Sequence, residues 1–183
     1  MRVALVCFAN TCRSPVAEAF LHHYLASESN LELFSRGVAG GPGVTPPAMA
    51  EALESRGLSL VSPSGERFGS ADLDADLYLF MERPVLREAV VANPVLWSRS
   101  FTMREFARRA QLNPPEPGSE TFAEWVGVLH ATRKREDLMS IDRSDDVLDP
   151  GLGGDVEAFQ AMIRDIELLS AKVAVFLSGW PAR

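Results

Sequence analysis

Apolar residues in this chain of 183 residues recur with two periods, one typical of buried strands and one typical of amphipathic helices. The strand-like runs lie at residues 2–8, 31–38, 76–82 and 95–101, the last as an edge strand. Helical spacing predicts helices that begin near Ser14, Pro47, Pro84 and Val156. Because strands and helices alternate, we predict an α/β fold with a four-stranded parallel sheet and helices on both faces.

Proline, glycine and serine mark where these elements begin and end. Ser14 is a candidate N-cap with Pro15 at the first helical position, and the helix over residues 47–56 is predicted to end at Gly57. Gly40-Gly41-Pro42-Gly43 lacks the Lys-Ser/Thr ending of a nucleotide-binding loop, so we interpret it as a turn.

Residues 104–146 are the hardest part of the chain to assign. Pro114, Pro115 and Pro117 interrupt them, and we predict helices with a loop. The length is that of one ordinary domain, so residues 1–183 are predicted to form a single domain with 104–146 as an inserted helical segment.

Composition and charge exclude several functions. The net charge of −7 and a pI near 5.0 argue against binding of nucleic acid or of an anionic membrane. The first residues lack the long apolar region of a signal peptide, and two cysteines are too few for a disulfide framework, so we expect a cytoplasmic protein. Arg133-Lys134-Arg135 is followed by several acidic residues and is interpreted as a solvated face.

The segment that follows the first predicted strand carries the clearest chemistry. It places a thiol, Cys7, at the strand end and a guanidinium, Arg13, six positions later at the start of a helix. Successive backbone N–H groups in such a turn bind a tetrahedral anion, and Arg13 is able to hold two phosphate oxygens. The same field favours the nucleophilic thiolate of Cys7. The predicted phosphate-binding residues are Phe8, Ala9, Asn10, Thr11, Cys12, Arg13 and Ser14.

The run CFANTCRSP resembles the C-x-G-N-x-C-R-S-P loop of the low-molecular-weight protein tyrosine phosphatases. The matching positions are Cys7, Asn10, Cys12, Arg13, Ser14 and Pro15. The resemblance implies that Cys7 attacks phosphorus to form a cysteinyl-phosphate and that Arg13 stabilises the transferring group. It implies that Asn10 holds the loop in its strained shape and that Ser14 hydrogen-bonds the Cys7 sulfur. The implied substrate is a phosphotyrosine protein or a small phosphate ester, with no cofactor.

A general acid is implied further along the chain. Asp149-Pro150 precedes the last predicted helix, where the family carries an Asp-Pro pair whose aspartate protonates the leaving group and later activates water. Family members commonly place two aromatic residues after that pair, whereas this chain has Gly151-Leu152. Phe8, Trp97 and Trp125 are the alternative sources of an aromatic wall, although each is more often ordinary core.

Two residues of the loop call for separate expectations. Ala9 stands where the family has glycine, and an alanine at a positive φ costs about 1 kcal/mol. Cys12 is implied to form a reversible disulfide with Cys7; the alternative is a small buried residue. His22, His23 and His130 have no ligand-spaced partners, so no metal site is predicted.

Two other functions remain open at this point. The same fold and loop serve arsenate reductases, and a version that uses a small external thiol fits the two cysteines present. A non-catalytic phosphoprotein-binding module is the second alternative, suggested by Ala9 and by Gly151-Leu152. Retention of Asp149 argues against pure binding, because binding does not require an acid.

Overall fold

The strands of this fold form one parallel sheet. The computed structural model describes residues 1–41, 43–58, 60, 65–116 and 118–180. Within them the strands are β1 (Arg2–Cys7), β2 (Glu32–Gly37), β3 (Leu77–Phe80) and β4 (Ser100–Thr102). Their spatial order is β2-β1-β3-β4, and every neighbouring pair is parallel. The predicted four-stranded parallel sheet is confirmed.

The described residues also form seven α-helices. They are α1 (Arg13–Tyr24), α2 (Pro47–Glu54), α3 (Arg83–Ala92), α4 (Met103–Leu112), α5 (Phe122–Ala131), α6 (Arg135–Met139) and α7 (Val156–Leu177). The last three before α7 occupy the segment predicted as helices with a loop. That this segment is an insertion stays a prediction. Pro42 and Pro117, on which the predicted turn and loop partly depend, lie outside the described residues.

Strand β1 lies at the centre of the sheet and is buried on both faces. Val3, Leu5 and Cys7 contribute to a core that includes residues of α1, α2, α4, α5 and α7. Ala4 and Val6 contribute to a second core with α3. A strand that is buried on both faces needs apolar residues at successive positions, and this continuous apolar run is why β1 could be predicted from the sequence. The predicted helices on both faces are confirmed.

The predicted strand at residues 95–101 is largely wrong. Pro94–Arg99 forms a 3₁₀ helix, and only Ser100–Thr102 pairs with β3 at the edge of the sheet. Pro94 lacks a backbone N–H and has the φ of a first helical turn, which favours the 3₁₀ segment. Over so few residues, a single buried Leu96 beside exposed Val95 mimics strand alternation.

Two helix ends also differ from the sequence-based prediction. Helix α1 begins at Arg13 with Cys12 as N-cap, so Ser14 lies inside the first turn and is not the cap. Its hydroxyl is used instead on the Cys7 sulfur. Helix α2 ends at Glu54, before the predicted end at residue 56, and the turn that follows contains Gly57 with φ of 66°.

The predicted solvated face at residues 133–135 is wrong for Arg133. The guanidinium of Arg133 is buried, lies 3.0 Å from Glu105 and stacks 3.6 Å from the ring centroid of Trp97. Burial lowers the pKa of Arg133 to about 10, although Glu105 acts in the opposite direction. In a run of charged residues, the sequence does not distinguish a solvated cation from a buried one that pairs with a carboxylate far along the chain.

Acid sensitivity is expected from the histidine beside this cluster. Burial, with Arg133 and Arg109 nearby, lowers the pKa of His130 below its ordinary 6.5. As pH falls below 6.5, the unfolded chain binds a proton that the folded chain does not, so the free energy of unfolding decreases. His130→Gln should therefore lose part of the fall in thermal midpoint between about pH 7 and about pH 5, on the order of 1 °C.

The matched control for this prediction is His23→Gln. His23 is exposed on α1, and its replacement should leave the pH dependence of the thermal midpoint as in the wild type. Identical pH profiles for His130→Gln and the wild type would contradict the prediction.

No helix in the described part of the chain has both the length and the apolar character needed to cross a membrane.

Candidate active site

Residues 7–14 run from the carboxyl end of β1 into the first turn of α1 and enclose the Cys7 sulfur. Cys7 Sγ accepts hydrogen bonds from the backbone N–H of Asn10 at 3.2 Å and from Ser14 Oγ at 3.0 Å. The thiol group is almost completely buried. Two donors directed at one sulfur stabilise negative charge on it, as a nucleophilic or departing thiolate requires.

Asn10 gives this loop its shape. Its φ of 52° lies in the left-handed region, which asparagine tolerates better than most residues. The side-chain Nδ2 donates to Ser14 Oγ at 3.1 Å and to Ser35 Oγ at 2.8 Å, while Oδ1 accepts from Glu66 N at 3.1 Å. The cost expected for Ala9 does not arise, because φ at Ala9 is not positive and the left-handed residue is Asn10.

Two glycines allow a second loop to support the first. A Cβ at Gly37 would lie 2.6 Å from the backbone of Ala9 and of Asn10. A Cβ at Gly41 would lie 2.4 Å from the carbonyl oxygen of Ala9. Both distances are shorter than a side chain tolerates, so only glycine permits this backbone contact. The phosphate-binding loop is therefore supported from behind by residues 37–41.

Arg13 is buried in the first turn of α1 and holds two carboxylates. Its Nη2 lies 2.6 Å from Asp149 Oδ2 and 2.8 Å from Glu82 Oε1, and its Nη1 donates to the Val147 carbonyl at 3.4 Å. Burial alone lowers the pKa of Arg13, but the hydrogen bond and charge of Glu82, with Asp149 and Cys7, outweigh burial and raise it. Arg13 is a permanent cation beside the Cys7 sulfur.

Asp149 reaches this site because the preceding residues are tied to the sheet. The N–H of Val147 donates to the carbonyl of Met81, just beyond β3, at 2.7 Å. Asp149 Oδ1 accepts from the N–H of Gly151 at 2.9 Å, and 47% of the Asp149 side chain remains exposed. The structure thus brings together Cys7, Arg13 and Asp149, although Arg13 and Asp149 are 136 positions apart.

These groups line one cleft of about 230 Å³. Its wall is made of Cys7, Phe8, Ala9, Thr11, Cys12, Arg13, Asp149, Gly151 and Leu152. Phe8 and Leu152 are the exposed large apolar residues at its rim. Trp125 is core, and the Trp97 ring is covered by Arg133, so neither is among the lining residues. A buried cation, a strand-end thiol and an exposed carboxylate in one cleft suit the cleavage of a phosphate ester.

Comparison with known proteins agrees with this geometry. Residues 2–139 match the family model for low molecular weight phosphotyrosine protein phosphatases. The chain belongs to this family. The match supports the resemblance drawn from the loop and the assignment as a phosphatase. Asp149 lies beyond the matched residues, so its assignment as the acid rests on its position in the cleft.

Individual relatives of this phosphatase are distant in sequence. Low molecular weight protein-tyrosine-phosphatase PtpA from Staphylococcus haemolyticus is 28% identical over 119 residues, which are 63% of this chain and 77% of the relative. A solved structure of a YwlE mutant from Bacillus subtilis superposes with a TM-score of 0.70 at 24% identity, covering 98% of this chain and 99% of that one. The YwlE arginine phosphatase from Geobacillus stearothermophilus gives 0.67 at 23% identity, covering 96% and 92%. The two structures confirm the fold.

Cys12 lines the same cleft as Cys7 in this phosphatase. Burial, with smaller contributions from the negative charges of Asp149 and Cys7, raises the pKa of the Cys12 thiol to about 12, although Arg13 acts in the opposite direction. Cys12 therefore remains a protonated thiol at neutral pH. The disulfide with Cys7 that the resemblance implies stays a prediction, as do the other assigned roles in the site.

Two charged residues of the site were not predicted from the sequence. Glu82 was not singled out, although it is the last residue of the predicted strand at residues 76–82, and it lies 2.8 Å from Arg13. Arg143 was not singled out, and its Nη2 lies 3.1 Å from Glu82 Oε2. The acidic residue at the carboxyl end of a predicted strand was the available signal for Glu82, because strand ends of a parallel sheet meet at one edge. No comparable signal marks Arg143.

Proposed function

We propose that this phosphatase hydrolyses phosphomonoesters through a cysteinyl-phosphate, with phosphotyrosine in proteins as the substrate class. The observation that carries the proposal is the convergence of Cys7, Arg13 and Asp149 on one cleft of about 230 Å³. Cys7 and Arg13 belong to one loop, whereas Asp149 lies 136 positions further along the chain than Arg13, so the meeting of the acid with the other two is not a consequence of local sequence.

In the first step, the Cys7 thiolate attacks phosphorus and forms a P–S bond while the P–O bond to the leaving group breaks. The phosphate displaces Asp149 from Arg13, because both anions bind the same guanidinium group. Asp149, whose side chain is 47% exposed, is then free to take up a proton from solvent, turn towards the leaving oxygen and give it that proton. Backbone N–H groups of residues 8–13 hold the transferring oxygens.

In the second step, the deprotonated Asp149 accepts a proton from water as the water oxygen attacks phosphorus. The P–S bond breaks, the electron pair returns to Cys7, and inorganic phosphate leaves. Ser14 Oγ, 3.0 Å from Cys7 Sγ, donates to the departing thiolate and makes it a better leaving group. Asn10 serves this step indirectly, because it binds Ser14 Oγ and fixes the loop.

The substrate class is open to a direct test. Inorganic phosphate release by the wild type should be measured from p-nitrophenyl phosphate and from phosphotyrosine, phosphoserine and phosphoarginine peptides. Phosphoarginine is included because one similar structure is named an arginine phosphatase. We expect kcat/KM for the phosphotyrosine peptide to exceed that for the phosphoserine peptide by about 100-fold or more, because a cleft with Phe8 at its rim favours a long, flat group.

The other outcomes are equally informative. A clear preference for phosphoarginine would keep the cysteinyl-phosphate chemistry and overturn the substrate class. No turnover of any of these compounds would contradict the proposed function. Arsenate reduction with a small external thiol should then be assayed, and inorganic phosphate binding without turnover would indicate a binding module.

A further inference from the structure

Glu82 is the second carboxylate on Arg13 and has no part in the proposed chemistry. Its side chain is 12% exposed, against 47% for Asp149. It lies between β3 and α3 and is the N-cap residue of α3. The strand before it and the helix after it therefore hold its backbone in place. Asp149 must leave Arg13 to reach a leaving group, whereas Glu82 is placed to remain.

A permanent carboxylate next to a phosphate site has two opposing effects. It orients the Arg13 guanidinium, but it also adds negative charge where a phosphate dianion binds, and like charges at this range repel. A second cation offsets that repulsion. Arg143 Nη2 lies 3.1 Å from Glu82 Oε2, so Glu82 lies between the buried Arg13 and the exposed Arg143.

Arg143 is itself held in place. Its Nε lies 2.7 Å from Asp146 Oδ2, and Asp146 Oδ1 accepts from the backbone N–H of Arg83 at 2.7 Å. The neighbouring Asp145 pairs with the Arg83 guanidinium at 2.9 Å. These contacts attach the segment that carries Arg143 to the start of α3, directly beside Glu82. Arg143 is therefore a positioned charge and not a freely moving surface residue.

From these contacts we infer that Glu82 is a positioning residue for Arg13, and that Arg143 sets phosphate affinity by neutralising Glu82. The inference rests on the proposed function, because it assumes that the anion bound at Arg13 is a phosphate group. It gives a role to a residue of the 104–146 segment, to which the sequence alone assigns none. Arg143 lies outside the residues matched by the family model.

The first test measures inorganic phosphate binding by calorimetry on the full chain, independently of turnover. Arg143→Gln should weaken the affinity about fivefold at low salt, and the difference should shrink at about 0.5 M salt. Arg143→Lys keeps the charge and should restore most of the affinity. Arg164→Gln, on the exposed face of α7, removes the same charge elsewhere and should bind phosphate as the wild type does.

The second test separates positioning from general stability. Glu82→Gln should lower kcat for p-nitrophenyl phosphate about tenfold, because the guanidinium loses its orientation, without weakening phosphate binding. In the Glu82→Gln background, adding Arg143→Gln should change the phosphate affinity no more than adding Arg164→Gln does. A merely structural role would instead lower the thermal midpoint and weaken both properties together.

Three results would overturn the inference. They are wild-type phosphate affinity in Arg143→Gln, failure of Arg143→Lys to restore a lost affinity, and an undiminished effect of Arg143→Gln in the Glu82→Gln background. Failure of the proposed function gives a different pattern. The wild type would then hydrolyse no phosphate ester, while the calorimetric series would still support or contradict the role of Arg143.

Discussion

Cys7→Ser is expected to lower kcat for p-nitrophenyl phosphate by at least about 10⁴-fold. The serine hydroxyl is not ionised at neutral pH, and the loop offers donors to the sulfur but no base to remove a proton. Asn10 N and Ser14 Oγ both donate to Sγ, which stabilises an anion already formed. Initial rates and a thermal unfolding curve for each protein check the prediction and show that the variant is folded.

The matched comparison is Cys12→Ser, the same atom exchange in the same loop. Cys12 is a protonated thiol that the proposed chemistry does not use, so we expect a loss of less than about tenfold. Retention of more than a tenth of wild-type activity by Cys7→Ser would rule out Cys7 as the nucleophile. Equal losses in both variants would show that the loop tolerates no such exchange.

Asp149→Asn is expected to lower kcat by about 10² to 10⁴ for a phosphotyrosine peptide, and by much less for an aryl phosphate with an acidic leaving group. The amide cannot donate a proton as an acid does, and a leaving group of low pKa does not need one. A series of aryl phosphates, with leaving-group pKa values from about 7 to about 10, measures the effect as the slope of log kcat against that pKa. The slope should be steeper for the variant.

Asp142→Asn is the control for this series. Asp142 is an exposed carboxylate in the same segment whose oxygens accept from Ser144, so its loss should leave the slope unchanged. Parallel plots for Asp149→Asn and the wild type would contradict the role of Asp149 as proton donor. A steeper slope in Asp142→Asn would show that the measurement responds to general disturbance of the segment.

The phosphate-binding loop was predictable because its chemistry is local. Thiol, donors and guanidinium fall within residues 7–14, and a strand before them and a helix after them determine how they face one another. The sheet was predictable for a similar reason, since a strand buried on both faces needs a continuous apolar run. Asp149 was predicted through resemblance alone. An Asp-Pro pair by itself does not indicate that the aspartate binds an arginine 136 positions away.

The long-range charge pairs of the fold were not predictable from the neighbouring sequence, and among their members only Glu82, at the end of a predicted strand, carried a local signal. Glu82, Arg133 and Arg143 each pair with groups far along the chain, and such pairs leave no periodic pattern. In the sequence, Arg133 is one member of a charged run. Only the structure shows that it is buried against Glu105 and Trp97. The 3₁₀ helix at Pro94–Arg99 was missed because a segment of this length gives too few positions to separate two periods.

The anchoring of Val147 to the end of β3 bears on the order in which the enzyme is made. The phosphate loop depends on β1, on Ser35 and on the backbone near Glu66, all of which leave the ribosome early. Asp149, the proposed acid, follows more than 80 positions after Glu66, and the hydrogen bond from Val147 to Met81 ties the segment before it to the sheet. During synthesis, therefore, the chain holds the groups proposed to capture a phosphate well before it holds the group proposed to complete the reaction.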